Sequence, residues 1–354
     1  MADNMVTLTE TVARLTEAGL SHECLDLTPR CTIVICQRGG RIFGPFFNGA
    51  PSLNWMPSAF KDRELFARFI ESGHWNIGGE RIWIGPEIQY MIPNRANYWG
   101  SYDLPKEMDP GDYSLTRTGQ YTCRLFQQIE IEAYRSLAER KNLNIDIKIA
   151  PVKNPLRFLS EFENLMQGVE YAGYRQEVTL MESQSDDILS ESWNLFQINP
   201  GGQLIVPSVP DVEVSDYYEP VGPHLSRSLN VTRVSVTGSH RFKIGFKAPH
   251  VFGRLGYINT GADGVDYLLV RNFLNDPSSI YAEESDVAIG RIGDSIHTYN
   301  DDGGLGGFGE LEVRGRTIGG DSGRSESTDE FEMWCFRGEH RAITKLSQYL
   351  LGTH

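Results

Sequence analysis

The stretch from Gly73 to Glu87, GHWNIGGERIWIGPE, holds the densest group of charged and aromatic side chains in the sequence. Its core, ERIWIG, is typical of a strand, and charged side chains in a strand are costly to bury unless they pair or face a polar cleft. Strand parity places Glu80 on one face and Arg81 and Trp83 on the other. An indole stacks on the C–H groups of a sugar and a guanidinium binds hydroxyls. Arg81, Trp83 and Glu87 are therefore predicted to bind a carbohydrate.

The same stretch admits a structural interpretation. Trp83 could lie in the core while Arg81 pairs with Glu87 and holds the loop. His74 precedes the double glycine and adds a titratable group at the edge of the cluster. We therefore include His74 among the candidate catalytic residues.

The elements that must position these residues are predicted to be strands. Apolar or alternating runs of five to eight residues recur between clusters of Gly, Pro, Asn and Asp, which is typical of an all-β sandwich or barrel. One helix is predicted over Thr7–Ala18, with Thr7 or Thr9 as N-cap and Gly19 as the stop. A second, over His340–Leu351, is expected to pack on the sandwich.

Two connections can be predicted from turn residues and periodicity. Residues 199–202, Asn-Pro-Gly-Gly, lie between two apolar runs and predict a hairpin, because glycine tolerates positive φ. Residues 122–140 alternate at first and show helical spacing later. We expect a long strand there, followed by a helical turn.

Charge and composition restrict the partners. A net charge of -14 disfavours nucleic acid and anionic membrane surfaces, which bind cationic proteins, and suits a neutral carbohydrate or glycoside. No apolar run is long enough for a signal peptide or a membrane span, so a soluble, cytoplasmic protein is expected. The sequence has no HExxH motif and no Cys and His cluster, and we predict no metal and no cofactor. Composition is compatible with either a monomer or an oligomer.

The five cysteines are odd in number and lack CxxC spacing. Most of them lie among apolar neighbours in the sequence. We expect them to be free and buried rather than catalytic or cross-linked.

Four stretches resemble, in their order along the chain, landmarks of the galactose mutarotase-like superfamily. They are GGERIWIGPE, SWNLFQINPGGQLIVP (Ser192–Pro207), FKIGFKAP (Phe242–Pro249) and FGELEVRG (Phe308–Gly315). The similarity runs from about Arg30 to the end of the chain, and it is greater to a bacterial branch than to the true aldose 1-epimerases. It implies an all-β fold, the large antiparallel β-supersandwich. The implied organisation is an N-terminal helical extension over residues 1–29 and one domain over 30–354.

The resemblance also implies a chemistry. In the epimerases of this superfamily, a histidine protonates the ring oxygen while a glutamate near the C-terminus removes the proton of the anomeric hydroxyl. Both proton transfers are needed because neither group reacts readily at neutral pH. The glutamate corresponds best to Glu310, with Glu312 on the same strand face as the near alternative. The alternative interpretation is that one of them pairs with Arg314 or Arg316.

The histidine of the epimerases does not carry over to this sequence. Trp193 stands where those enzymes show a His-Pro-Tyr-Phe type stretch, and an indole cannot donate a proton usefully, although it can stack on a pyranose ring. Histidines and one lysine are candidates for the missing acid: His74, His240, Lys243, His250 and His297. Of these, His250 and His297 sit near turns and are expected to be solvated. Lys243, inside an apolar strand, is either functional or paired with Glu310 or Glu87.

Two functions from different classes follow. The first is acid–base catalysis on a sugar in a concave groove, of the epimerase or mutarotase, isomerase or lyase type, and the alternative is a non-catalytic carbohydrate-binding protein. The predicted catalytic residues are Glu310, His74, Lys243 and His240. The predicted substrate-binding residues are Arg81, Trp83, Glu87, Trp193, Glu312 and Arg254. Both functions require distant strands to bring Arg81, Trp193, Lys243 and Glu310 onto one concave surface.

Overall fold

The computed structural model describes residues 5–353 as two large antiparallel β-sheets stacked face to face, with helices packed around them. The strands are β1 (His22–Thr28), β2 (Cys31–Cys36), β3 (Arg41–Phe47), β4 (Glu80–Gly85), β5 (Ser114–Gly119), β6 (Thr122–Glu132), β7 (Arg140–Pro151), β8 (Glu170–Glu182), β9 (Glu191–Ile198), β10 (Gln203–Pro207), β11 (Val214–Asp216), β12 (Leu225–Arg227), β13 (Val231–Ser235), β14 (Phe242–Lys247), β15 (Arg254–Thr260), β16 (Asp266–Phe273), β17 (Asp294–Asn300), β18 (Gly309–Arg314) and β19 (Glu326–Gly338). The α-helices are α1 (Leu8–Glu17), α2 (Arg63–Glu71), α3 (Glu87–Tyr90), α4 (Phe162–Leu165) and α5 (His340–Leu351). Residues 1–4 of the predicted N-terminal extension and residue 354 of the predicted domain lie outside the described residues.

The order of the strands defines a nine-stranded and a ten-stranded sheet. The nine-stranded sheet runs β1-β2-β3-β4-β9-β18-β17-β14-β11, and the ten-stranded sheet runs β12-β13-β10-β15-β16-β19-β8-β7-β6-β5. Neighbouring strands are antiparallel throughout. The prediction of an all-β antiparallel sandwich is therefore confirmed.

Burial along the strands shows where each sheet meets water. In β6, β7 and the first half of β19 the side chains alternate between buried and less buried positions, because one face packs on the core and the other faces solvent. In β4, β9, β17 and β18 every residue is buried. Those central strands of the nine-stranded sheet are covered on both faces, so their polar side chains must find partners inside the protein.

Glu80 is the clearest case of a charge buried between the sheets. Its carboxylate forms an ion pair with Arg271 of β16, and both side chains are fully buried. Tyr174 and Gln176 of β8 and Asn194 of β9 also donate to it, the last at 2.7 Å. The predicted strand parity is confirmed, because Glu80 faces the ten-stranded sheet while Arg81 faces away from it.

The two connections predicted from sequence are corrected by the structure. The turn at residues 199–202 is not a hairpin, because β9 pairs only within the nine-stranded sheet and β10 only within the ten-stranded sheet. Gly201 adopts φ +105° there, which favours glycine as predicted. The turn connects the two sheets instead of two paired strands. After β6 a non-helical turn leads directly into β7, so the expected helical turn near residue 140 is wrong.

Both predicted helices are confirmed. Thr7 caps α1 through a capping box with Glu10, and α1 packs against β2 and β3 beside α2, a helix that we did not predict. Helix α5 covers the outer face of the ten-stranded sheet through Ile343, Leu346 and other apolar residues. The division of the chain near residue 29 stays a prediction; β1, which precedes it, pairs with β2.

The cysteines agree largely with expectation. All five are free; Cys24 is exposed and the other four are buried. Among the described residues, no helix has both the length and the apolar character needed to cross a membrane.

We expect Arg271→Met to lower the free energy of unfolding by about 3–5 kcal/mol, because it leaves the Glu80 carboxylate buried without its cation. Urea unfolding followed by circular dichroism measures the change. The matched control is Arg175→Met, which breaks an exposed ion pair with Glu330 on the same sheet and should cost less than about 1 kcal/mol. Equal effects for the two variants would contradict the role assigned to the inter-sheet pair.

Candidate functional site

A groove of about 240 Å³ lies on the face of the nine-stranded sheet that points away from the ten-stranded sheet. Strands β4, β9, β14, β17 and β18 form its floor, and loops form its walls. Its lining residues are Trp75, Arg81, Trp83, Glu87, Trp99, Tyr102, Trp193, Leu195, Tyr218, Arg241, Lys243, Tyr299, Leu305, Phe308, Glu310 and Glu312. The structure thus brings Arg81, Trp193, Lys243 and Glu310 onto one surface.

The double glycine at the start of β4 allows this strand to enter the sheet. Gly78 and Gly79 both have φ +82°, and a Cβ on Gly79 would lie 2.8 Å from the backbone oxygen of Ile42. Only glycine combines that φ with so close an approach to the neighbouring backbone. The two residues that follow on the same face of β4, Arg81 and Trp83, line the groove.

Arg81 pairs with Glu310 at the centre of the floor. The Nη1 atom of Arg81 lies 2.9 Å from Oε1 of Glu310, and the two side chains are 1% and 7% exposed. Gln197 donates to the same carboxylate oxygen at 3.1 Å, and the Arg81 guanidinium lies 4.0 Å from the ring centre of Trp83. The structural interpretation in which Arg81 pairs with Glu87 is therefore wrong.

Lys243 forms a second ion pair across the groove. Its Nζ donates to Oε2 of Glu87 at 2.6 Å and lies 4.5 Å from the ring centre of Trp193. Burial lowers the pKa of Lys243, but the surrounding carboxylates, Glu87 first, outweigh it, so the pKa is raised. Burial raises the pKa of Glu87, and Lys243 offsets part of that rise. The predicted alternative, a Lys243–Glu87 salt bridge, is what the structure contains.

Glu312 is the one groove carboxylate held by an indole rather than by a cation. Trp193 donates from Nε1 to its Oε2 at 3.0 Å, while Oε1 of Glu312 is buried without a partner. Burial raises the pKa of Glu312 to about 8, against the opposing effects of Lys243 and Arg314. A carboxyl group in this position is protonated in most molecules at neutral pH.

Arg314 is buried next to the groove lining residue Trp193. It forms a fully buried ion pair with Glu283, which also accepts from the backbone N–H of Glu87 at 3.0 Å. A Cβ on Gly85 would lie 1.7 Å from Nη1 of Arg314, so glycine makes room for the guanidinium. The alternative in which Glu310 or Glu312 pairs with Arg314 or Arg316 is wrong, since Arg316 pairs with Asp329 on the other sheet.

Aromatic side chains from loops form the walls, and the strand and motif patterns of the sequence do not predict this role for them. Trp99 and Tyr218 pack together with ring centres 4.2 Å apart, and Tyr218 also contacts Tyr299. Their signal in the sequence is the aromatic density of two loop segments, NYWGSY and DYYE. Only the folded chain shows that both loops cover the same floor.

Three predicted site residues lie outside the groove lining, and their functional roles stay predictions. His74 is exposed and stacks on Phe69 with ring centres 4.5 Å apart, and His240 packs against His224 with ring centres 5.1 Å apart. Arg254 belongs to β15 of the ten-stranded sheet, where it donates to Asn272 at 2.9 Å.

His297 is buried, not solvated as expected. It lies on β17 opposite Glu312 of β18, and its Nε2 is 3.2 Å from the Tyr217 hydroxyl. Burial, and then the charges of Arg314 and Lys243, lower its pKa well below the ordinary value. His250 is partly buried, and its Nδ1 accepts from a backbone N–H. Neither histidine lines the groove.

Within residues 5–353, no group of three or more His, Cys, Asp or Glu side chains could hold a metal ion. A second cavity of about 290 Å³ lies between residues 103–107 and the β6–β7 hairpin. Tyr134 is its one aromatic lining residue, and its charged residues are Asp103, Lys106, Glu107, Glu130, Glu132 and Arg140. Unlike this cavity, the groove combines several indoles with carboxylates in its lining.

No protein-family model and no curated protein sequence matches the chain. Among solved structures, a candidate aldose 1-epimerase from Klebsiella pneumoniae subsp. pneumoniae superposes on 90% of this chain and 80% of its own, with a TM-score of 0.50 and 8% identity. A galactose mutarotase related enzyme from Lactobacillus acidophilus matches over 90% and 97% of the two chains, with a TM-score of 0.45 and 6% identity. An aldose epimerase homologue from C. elegans matches over 91% and 100%, with a TM-score of 0.45 and 9% identity. The first likeness shows that this chain has the galactose mutarotase-like fold.

The Trp193 indole should report the ionisation of Glu312. We expect its 15N–1H resonance to titrate with a midpoint near pH 8, because its N–H donates to the carboxyl group whose pKa is raised to about 8. The Trp83 indole, which donates to Asp109, is the internal control. The step should vanish in Glu312→Gln, and a flat Trp193 resonance between about pH 6 and 10 would contradict the assignment.

The same group links stability to pH. The folded state keeps a proton on Glu312 that the unfolded chain releases near the ordinary glutamate pKa of 4.5. Its contribution to stability is therefore complete below about pH 4.5 and is lost as the pH rises through about 8. Urea unfolding across this range should show a shallower decline for Glu312→Gln than for the unmodified protein. Parallel curves would contradict the linkage.

Proposed function

We propose that the protein binds a sugar or sugar derivative in the groove and performs acid–base chemistry on it, of the epimerase or mutarotase, isomerase or lyase type. The observation that carries this proposal is Glu310, a carboxylate at the floor of a groove walled by indoles and tyrosines. Its orientation is set by Arg81 and Gln197. A general base held in place beside stacking surfaces is what proton abstraction from a sugar hydroxyl requires.

The floor suits a pyranose ring. The Trp83 and Trp193 rings meet edge to face with centres 5.7 Å apart, so their apolar surfaces line the groove in different directions. A volume of about 240 Å³ lies just below the roughly 300–1,000 Å³ of pockets for drug-sized ligands. A single monosaccharide unit therefore fits better than an oligosaccharide.

Unused hydrogen-bonding capacity in the lining supports a polyhydroxyl ligand. Three buried side-chain atoms have no partner among the described residues: Nε of Arg81 and Oε1 of Glu312 in the lining, and Oε1 of Gln197, which contacts the lining residue Glu310. They combine donor and acceptor character, as the hydroxyl groups of a sugar do. A ligand that satisfies them recovers the free energy that unpaired buried polar groups cost.

The charges of the lining favour an uncharged sugar. Each cation in it already has a carboxylate partner: Arg81 with Glu310, Lys243 with Glu87, and Arg241 with Glu219. No cation is left free among the described lining residues to neutralise a phosphate or a uronate. We therefore propose a neutral aldose, ketose or glycoside as the substrate class.

The roles follow from these contacts. Glu310 is the general base, and Arg81 orients its carboxylate. Trp83 and Trp193 hold the ring, and Lys243 fixes Glu87 at the edge of the groove. Of the four predicted catalytic residues, Glu310 and Lys243 line the groove.

The second candidate function is a non-catalytic sugar-binding protein. It is favoured by the lack of a histidine among the described lining residues and by the close pairing of Lys243 with Glu87. This function would use the same stacking surfaces without proton transfer. Binding and turnover must therefore be measured separately.

A single screen separates the two functions. Purified protein is incubated with free aldoses, sugar phosphates, uronates and oxidised glycosides, with binding measured by calorimetry and turnover by proton NMR. We expect turnover of a neutral sugar. Binding without turnover would establish the non-catalytic alternative, and preference for an anionic sugar would contradict the proposed substrate class.

Glu310→Gln should abolish turnover while sugar affinity stays within about tenfold, because the substitution removes the basic oxygen, changes little volume and keeps an amide oxygen that accepts from Arg81. Circular dichroism checks that the variant is folded, because Arg81 loses the charge of its partner. Steady-state kinetics and calorimetry on the same preparation measure turnover and affinity. Glu330→Gln, on the solvent face of the ten-stranded sheet, is the matched control and should leave both unchanged. If Glu310→Gln retained full activity, the general-base assignment would be wrong.

A further inference from the structure

Strand β18 presents two carboxyl groups to the groove, two residues apart and in different surroundings. Glu310 accepts hydrogen bonds from Arg81 and Gln197, both at the same oxygen. Glu312 accepts one from the Trp193 indole and has no cation within salt-bridge distance. With about 3.4 Å per residue along a strand, their Cα atoms are roughly 7 Å apart, which leaves both carboxyl groups within reach of one sugar ring.

We infer that Glu312 is the general acid of this groove and delivers its proton to a sugar oxygen while Glu310 removes a proton from a neighbouring hydroxyl. This inference rests on the proposed function. It replaces the histidine that the sequence lacks with a carboxylic acid on the same strand as the base. Neither His74, His240 nor Lys243 is then needed as the proton donor.

The Trp193 contact determines which oxygen carries the proton. An indole N–H can only donate, so Oε2 of Glu312 must act as the acceptor in that bond. The acidic proton is therefore on Oε1, the oxygen that has no partner in the protein. Because Glu312 lines the groove, we take a sugar oxygen bound there as the acceptor of this proton.

The groups around Glu312 explain why it keeps a proton. Lys243 of β14 and Arg314 of β18 favour the carboxylate, but each is already engaged, with Glu87 and Glu283 respectively. The charges of Glu310 and Glu87 and the burial of Glu312 itself favour the acid, and burial is the largest effect. His297, the cross-strand neighbour, contributes no positive charge at neutral pH because its pKa is lowered. The resulting pKa of about 8 is well matched to proton donation near neutral pH.

The two other buried groups are poor donors. The pKa of Lys243 is raised, and its Nζ donates to Oε2 of Glu87 at 2.6 Å. Both effects favour the ammonium form and make Lys243 a weak acid. His297 is neutral at ordinary pH and contacts Tyr217 rather than the groove. Glu312 combines position with a suitable protonation state.

The two carboxyl groups can together open and reclose a sugar ring with no net change in protons. The proton of the anomeric hydroxyl passes to Glu310, its oxygen forms the carbonyl, and the bond between the anomeric carbon and the ring oxygen breaks. The electron pair goes to the ring oxygen, which takes the proton from Oε1 of Glu312. Reclosure on the other face returns both protons, so no oxidant, reductant or co-reactant is consumed.

The test is the pH profile of kcat/KM for the sugar identified by the screen. The unmodified protein should lose activity as the pH rises through about 8, because the acid must be protonated. Glu312→Gln should lose at least about 100-fold at pH 7 with sugar affinity within about tenfold, and Glu312→Asp should recover part of the loss. Circular dichroism confirms that each variant is folded.

Trp193→Phe provides a readout that a purely structural role would not move. It keeps an aromatic ring but removes the N–H that stabilises the carboxylate form, so the alkaline limb should shift to higher pH. Glu330→Gln, remote from the groove, should retain the profile of the unmodified protein.

The outcomes are distinguishable. Glu312→Gln within threefold of the unmodified protein, alongside an inactive Glu310→Gln, would overturn this inference and leave the proposed function intact. An alkaline limb that stays near pH 8 in Glu312→Gln would also overturn it. No turnover by the unmodified protein with any sugar would overturn both the catalytic function and this inference.

Discussion

Strand β4 carries adjacent opposite charges, Glu80 and Arg81, in a position where both of its faces are buried. Glu80 is neutralised across the sandwich by Arg271, and Arg81 is neutralised in the groove by Glu310. Leaving either charge without its partner would cost several kcal/mol. The stacking of the two sheets and the construction of the groove floor therefore depend on the same six residues of backbone.

The charged side chains in and beside the groove form buried ion pairs, except for Glu312. Arg81, Lys243 and Arg314 each hold a carboxylate, and such pairs are rigid because every alternative arrangement leaves a buried charge exposed to an apolar environment. Rigid polar groups can act on a ligand without reorganising first. Glu312 accepts a hydrogen bond from an indole instead of pairing with a cation.

Loop residues form much of the groove wall. Trp99, Tyr102 and Tyr218 come from loops between strands, and Phe308 comes from the glycine-rich turn before β18. The galactose mutarotase-like fold supplies a concave sheet, but a fold does not establish a reaction. The chemistry proposed here rests on the carboxyl groups and aromatic rings of this chain.

The sequence by itself determined the all-β class, helices α1 and α5, and the parity that separates Glu80 from Arg81, because each of these depends on short-range spacing. It also pointed to Glu310, Arg81, Trp193 and Lys243, whose convergence the structure shows. The sequence does not show which strands pair. The crossover at residues 199–202 therefore resembles a hairpin in the sequence alone.

Only the tertiary structure decided which charges pair. The residue types of His74, His240 and Arg254 suit a sugar site, but the fold places them outside the groove lining. Ion pairs such as Arg81 with Glu310 join residues more than 200 positions apart, so no local pattern encodes them. The protonation of Glu312 depends in the same way on burial and on charged neighbours from three elements, α3, β14 and β18, which meet only after the strands have assembled.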